Sequence, residues 1–201
     1  MVYEIEESYL PITLTAPAPM TDEQFLAFCE KYPDDRIEMT AEGDILIMPP
    51  AGFDSGLQNN RISMQLIAWA DADGRGAATD SSTGFVLPNG ARRSPDASWT
   101  RFERIDGLGP GATRGFAHLV PDFAIELRSP SDRLPALRRK MLEYIANGAQ
   151  LGWLIDPQRR TVEIYRPDRE PEILVDPQSV AGEGPVEGFR LNLARVWNLR
   201  G

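Results

Sequence analysis

Residues 121–132, PDFAIELRSPSD, decide how the chain is read. In a β-strand successive side chains alternate between the two faces, so Phe123, Ile125 and Leu127 share one face while Asp122, Ala124, Glu126 and Arg128 share the other. A strand covered on both sides is normally apolar throughout, and a charge inside it is costly unless paired or metal-bound. The polar face of this strand is therefore a candidate site. Asp122 and Glu126 stand about 13 Å apart along the strand, too far to share one small ion. An acid on a neighbouring strand, about 4.8 Å away, can reach a cation held by Glu126, and RRSPDASW (92–99) offers Asp96 on such a strand.

Downstream, SPSD supplies capping residues, Ser129 and Ser131 among them, for a helix predicted to run to Asn147. Pro135 suits its first turn, and Gly148 its C-terminal stop. Leu134, Leu137, Met141 and Ile145 form the core stripe of this helix, with Lys140 on the stripe's edge beside Leu137 and Tyr144. LGWLID (151–156) and TVEIYRP (161–167) then read as a hairpin around PQRR, EILV (172–175) as a further strand and LNLARVW (191–197) as a short final helix.

Upstream, residues 1–20 are proline-rich and read as an irregular arm, followed by one domain over 21–201. Thr21 and Gln24 have capping-box spacing, so a helix starts at Thr21 and ends before Pro33, packing Phe25, Leu26, Phe28 and Cys29 on one side. RIEMTAEGDILIMPP (36–50) alternates on both sides of AEGD and predicts a β-hairpin with Glu38 opposed to Ile37 and Met39. Residues 55–70 place Ile62, Leu66 and Trp69 at helical spacing, with Gln58, Asn59 and Arg61 on another side. Short strands follow in 76–100, joined by the turn NGARR, and the glycine-rich GLGPGATRG precedes the strand at 121. The expected fold is α+β, a mixed sheet flanked by helices with an N-terminal helix and hairpin.

Composition excludes several chemistries. Cys29 is the single cysteine and His118 the single histidine, so disulfide frameworks, cysteine-rich zinc sites and paired-histidine metal motifs are ruled out. Ser129 or Ser131 as a nucleophile would have only His118 as base. No apolar run approaches a membrane span and residues 2–17 lack a secretory pattern, which leads us to expect a soluble, cytoplasmic protein. The net charge of −9 opposes non-specific binding to nucleic acid, but five cations between Arg128 and Leu142 face one anion, Asp132, and form a local basic segment. The four tryptophans are not interleaved with cations and read as core or interface residues.

Two carboxylates, a backbone carbonyl such as that of Leu127 and waters suit the hard, octahedral preference of Mg²⁺ or Mn²⁺. Phosphodiester hydrolysis uses such an ion, and profits from a cation near the attacking water. Arg128, two positions after Glu126, stays protonated and activates water poorly. Lys140 is the better candidate, one of only two lysines in the chain with Lys31. Each residue also has a plainer reading. Glu126 can pair with Arg128 or Arg138, Asp96 can close the turn after Pro95, Lys140 can flank the core with its head in water, and Asp122 can fix the start of its strand. A glycosidase carboxylate pair finds no support in the spacing.

The run from SPDASW through VPDFAIELRSPSD to RRKMLEYIANGAQLGWLIDP resembles the large bacterial family of restriction-endonuclease-like proteins within the PD-(D/E)XK nuclease superfamily, over roughly residues 35 to 170. The resemblance implies a core sheet with flanking helices, metal-dependent cleavage of DNA and a homodimer. By position, Asp96 resembles the motif's aspartate and Glu126 its glutamate. Arg128 occupies the lysine position, and the family pattern implies that the lysine has moved to the next helix, as Lys140. Glu38 is an additional metal-site acid on this pattern. The alternative from another class is a non-catalytic binding or assembly module that keeps the fold.

Overall fold

The structure, a computed structural model, describes residues 12–15, 18–48 and 50–200. The strand that opened the sequence reading is β8 of the chain, Phe123–Leu127, and every one of its residues is buried. It lies in a six-stranded sheet whose other members are β4 (Gly76–Asp80), β7 (Ala97–Arg101), β9 (Leu151–Asp156), β10 (Thr161–Tyr165) and β11 (Glu172–Val175). The order is β11-β10-β9-β8-β7-β4. β8 and β9 run parallel, with helix α4 (Leu134–Ala146) as their crossover, and the remaining neighbours are antiparallel.

Both faces of this sheet are covered, which is why β8 is apolar on its odd-numbered side and compact on the other. Phe123, Ile125 and Leu127 pack with Trp99, Trp153 and Ile155 against Ile62, Leu66 and Ala70 of helix α2 (Phe53–Asp73). The C-terminal hairpin of β12 (Ser179–Ala181) and β13 (Arg190–Asn192), with helix α5 (Ala194–Trp197), completes this side. Ala124 and Leu154 on the opposite face pack against Leu134, Met141 and Tyr144 of α4. Gly152 lets that helix approach: a Cβ there would fall 2.4 Å from Met141 Cε. Burial of the apolar faces stabilises this arrangement at about 25 cal/mol per Å².

A second, five-stranded sheet of order β1-β3-β2-β6-β5 lies at the N-terminal side. It contains β1 (Ile12–Leu14), β2 (Arg36–Met39), β3 (Ile45–Met48), β5 (Phe85–Val86) and β6 (Arg92–Arg93). Helix α1 (Asp22–Lys31) begins with the predicted capping box, Thr21 Oγ1 accepting from Gln24 N at 3.3 Å and Gln24 Oε1 from Thr21 N at 3.0 Å. The predicted 36–50 hairpin is β2–β3, with Ile37 and Met39 buried in the small core beneath α1.

Several expectations are corrected. Residues 12–14 of the supposed irregular arm pair with β3, because an edge strand offers unpaired backbone groups to them; residues 1–11 and 16–17 lie outside the described residues. SPSD does not cap α4, whose N-cap is Arg133 without a side-chain bond. Asp132 instead folds back to accept from Ser129 N and Ser129 Oγ, both at 2.7 Å, closing a turn before the helix. Leu26 is exposed, and LNLARVW divides into β13 and α5. Tyr144, read only as a neighbour of Lys140, is fully buried. Among the described residues no helix is long and apolar enough to cross a membrane.

Candidate metal and phosphodiester site

Ala97 and Ile125 are the last paired residues between β7 and β8, so Asp96 and Glu126 are the next to face one another, on the side covered by α4. Asp96 Oδ2 accepts from Leu127 N at 2.8 Å, which fixes its carboxylate over the end of β8. Lys140 reaches the same point from the second turn of α4. Its Nζ lies 2.8 Å from Glu126 Oε1 and 2.8 Å from Glu38 Oε1. Tyr144, one helical turn on, donates its hydroxyl to Glu126 Oε1 at 3.0 Å. Three of the residues singled out in the sequence, Asp96, Glu126 and Lys140, thus converge with a fourth, Glu38.

Glu38 is buried like a core residue, at 2% exposure, because β2 turns it toward Lys140 of α4 and Arg93 of β6. Besides Lys140 it accepts from Ser94 N at 3.0 Å and from Arg93 at 3.3 Å, with Arg36 at 3.9 Å. Burial alone would raise its pKa, but Lys140, Arg93 and Arg36 outweigh that and hold the carboxyl down at about 2. Glu126 behaves oppositely. Burial pushes it up to about 7, Lys140 pulls against the rise, and the nearby Asp96 and Glu38 add to it. Burial favours the neutral form of Lys140, yet Glu126 and Glu38 together raise its pKa, so it stays an ammonium. The Tyr144 phenol is raised well above its ordinary value by burial and the same two acids.

The remaining sequence candidates go elsewhere. Arg128 pairs with Asp156 Oδ2 at 2.7 Å, and Arg138 with Glu163, so neither is the partner of Glu126. Asp122 accepts from Arg101 N at 2.9 Å and meets Arg104 at 3.0 Å, which ties the start of β8 to β7 and to helix α3 (Phe102–Asp106). His118 meets Asp22 on the surface at 2.9 Å. Ser129 and Ser131 bond each other at the rim. Sequence reading missed Arg36, Arg93 and Tyr144. Arg36 was legible in principle, since positions 36 and 38 share one face of β2. Arg93 was not, because its role depends on how β6 meets β2 and on Glu143 of α4, 2.6 Å from its Nε.

Asp96, Glu126, Leu127 and Lys140 border a cleft of about 1140 Å³, closed on its other sides by the first turn of α2 and by Ser129 to Asp132. Among the described residues no group of three or more His, Cys, Asp and Glu side chains is placed to hold a metal. The donor set is therefore sparse: two facing carboxylates and a strand-end carbonyl. That set fits Mg²⁺, which keeps several waters and takes one or two carboxylates together with substrate phosphate. It does not fit an all-protein cage.

A family model described as "Uma2: Putative restriction endonuclease" matches residues 22–194. Among curated proteins nothing matches. The crystal structure of a putative nuclease belonging to DUF820 from Anabaena variabilis ATCC 29413 is similar in fold, with a TM-score of 0.73 at 23% identity over 89% of this chain and 98% of that one. Since the family model runs from the first residue of α1 to the first residue of α5, across both sheets and the cleft between them, the chain belongs to the Uma2 family of restriction-endonuclease-like proteins.

Proposed function

We propose that the protein is a divalent-metal-dependent nuclease that hydrolyses DNA phosphodiester bonds, with Asp96, Glu126 and the Leu127 carbonyl holding Mg²⁺ or Mn²⁺. The observation that carries this reading is the convergence of Asp96, just before β7, with Glu126 of β8 and Lys140 of α4 on one rim of an open cleft. When bound, the ion supplies charge stabilisation at the phosphoryl oxygens and lowers the pKa of the attacking water.

Lys140 has three donors, two of them directed at Glu38 and Glu126, which leaves one for a water or a phosphate oxygen. As an ammonium it orients and polarises that water and takes no proton from it. Glu38, with both oxygens engaged, holds Lys140 in place. Glu126, pushed up to about 7 by burial, would have to be in its charged form to hold an ion. Arg133 and Arg139, both exposed, put positive charge on α4 and its entry in an otherwise acidic protein.

The test is nicking of supercoiled plasmid against Mg²⁺ or Mn²⁺ concentration, wild type beside Glu126→Gln. Ion-dependent nicking by the wild type alone is the expected result. Absence from both proteins sinks the enzyme and leaves the non-catalytic module.

A further inference from the structure

Arg36 is gripped by the site from one side only. Its NH1 donates to Asp96 Oδ1 at 2.8 Å and its NH2 to the carbonyl of Ser94. Its Nε is buried without a hydrogen-bond partner among the described residues. A guanidinium is a planar fork of five donors, and buried donors in a permanent brace are nearly always satisfied. Arg93 shows what such a brace looks like here, with Nε on Glu143 and NH1 on Glu38 and its side chain 8% exposed. The Arg36 side chain is 30% exposed and borders the cleft.

A divalent ion on Asp96 would stand next to this guanidinium. Two like charges this close at a protein surface repel strongly, so Arg36 either opposes the ion or moves. The cleft offers a destination. No side chain caps the first turn of α2, and Gly52 to Ser55 border the same cleft, so free amide donors lie at the edge of the space Arg36 would enter. A phosphate there would gain a bidentate arginine as well.

We propose that Arg36 is a displaceable counter-ion: it neutralises Asp96 while no divalent ion is bound, and on ion binding it swings into the cleft to take a non-bridging oxygen of a DNA phosphate. This rests on the nuclease reading above. It makes ion and DNA binding mutually supportive, because each relieves a charge that the other leaves unbalanced.

The test measures binding without cleavage. Mn²⁺ is titrated calorimetrically into wild type, Arg36→Gln and Arg36→Lys in the absence of DNA, after thermal melts confirm folding. R36Q should bind Mn²⁺ about tenfold more tightly, the scale of one charged hydrogen bond, and R36K should return toward wild type. A short duplex followed by anisotropy in Ca²⁺ should bind R36Q more weakly, with a salt slope smaller by about one. Should R36Q fail to fold, Arg36→Met carries the same expectations. Unchanged or weaker Mn²⁺ binding in the charge-free variant, or an unchanged salt slope, overturns the proposal. If wild type binds Mn²⁺ and nicks plasmid while R36Q gains nothing, only this inference falls. If no protein binds Mn²⁺, the nuclease reading falls and takes it along.

Discussion

Lys140 and Glu126 meet at 2.8 Å although one is on a helix and the other on the strand beneath it, and the same ammonium lies 2.8 Å from Glu38 in the second sheet. The contact fastens three elements, β2, β8 and α4, at one buried point. Such a point serves stability and chemistry together, and the two can be separated by mutation.

Lys140→Met leaves Glu38 and Glu126 buried with less compensation. Breaking a buried charge pair by removing one partner costs about 3–5 kcal/mol, so urea unfolding of K140M should show a loss of that order. At temperatures where it is folded, plasmid nicking should be absent.

The pH dependence of metal-free stability has two opposed parts. Glu38 sits at about 2, below its ordinary 4.5, so its contribution is present above pH 4.5 and is lost as pH falls toward 2. Glu126 sits at about 7, above its ordinary 4.5. The folded protein then keeps a proton that the unfolded chain releases, and stability from this group is full below pH 4.5 and lost as pH rises through 7. Denaturant unfolding between pH 4.5 and 7 should show this decline in the wild type and a flatter profile in Glu126→Gln.

Arg128 pairs with Asp156 at 2.7 Å and not with Glu126. Arg128→Ala leaves the nearly buried Asp156 without its partner and should cost about 1–3 kcal/mol in stability. Mn²⁺ affinity should be unchanged, and a large loss of affinity would return Arg128 to the site.

Asp122→Asn keeps the shape but weakens the tie to Arg104 and Arg101 N at the start of β8. A loss of about 1–2 kcal/mol with an unaltered ion requirement for nicking is expected.

The elements of the fold were legible because their signals are local, while the choice of Asp96 and Lys140 leaned on the family resemblance as well as on spacing. The alternation in β8, the Thr21–Gln24 capping box, the stripe on α4 and the turn signals each specify an element by spacing alone. Asp96 and Glu126 could be paired in advance because adjacent strands are separated by a fixed distance. The partners of those acids were less legible. Whether Glu38 faces solvent or Lys140 depends on how the two sheets meet, and no period in the sequence encodes that. Arg93 and Tyr144 were invisible as site residues for the same reason, since each acts through contacts between elements far apart in the chain, whereas Arg36 shares a face of β2 with Glu38 and could have been found from that spacing. SPSD misled because Asp132 bonds back to Ser129, a local alternative that competes with capping for the same residues.

The most direct measurement is a crystal structure grown or soaked in Mn²⁺, with the ion located by its anomalous signal. The account predicts a peak within coordination distance of both Asp96 and Glu126, with the Leu127 carbonyl and waters completing the octahedron. A fully soaked crystal with no peak between those two carboxylates, or with its ion bound elsewhere, would contradict it.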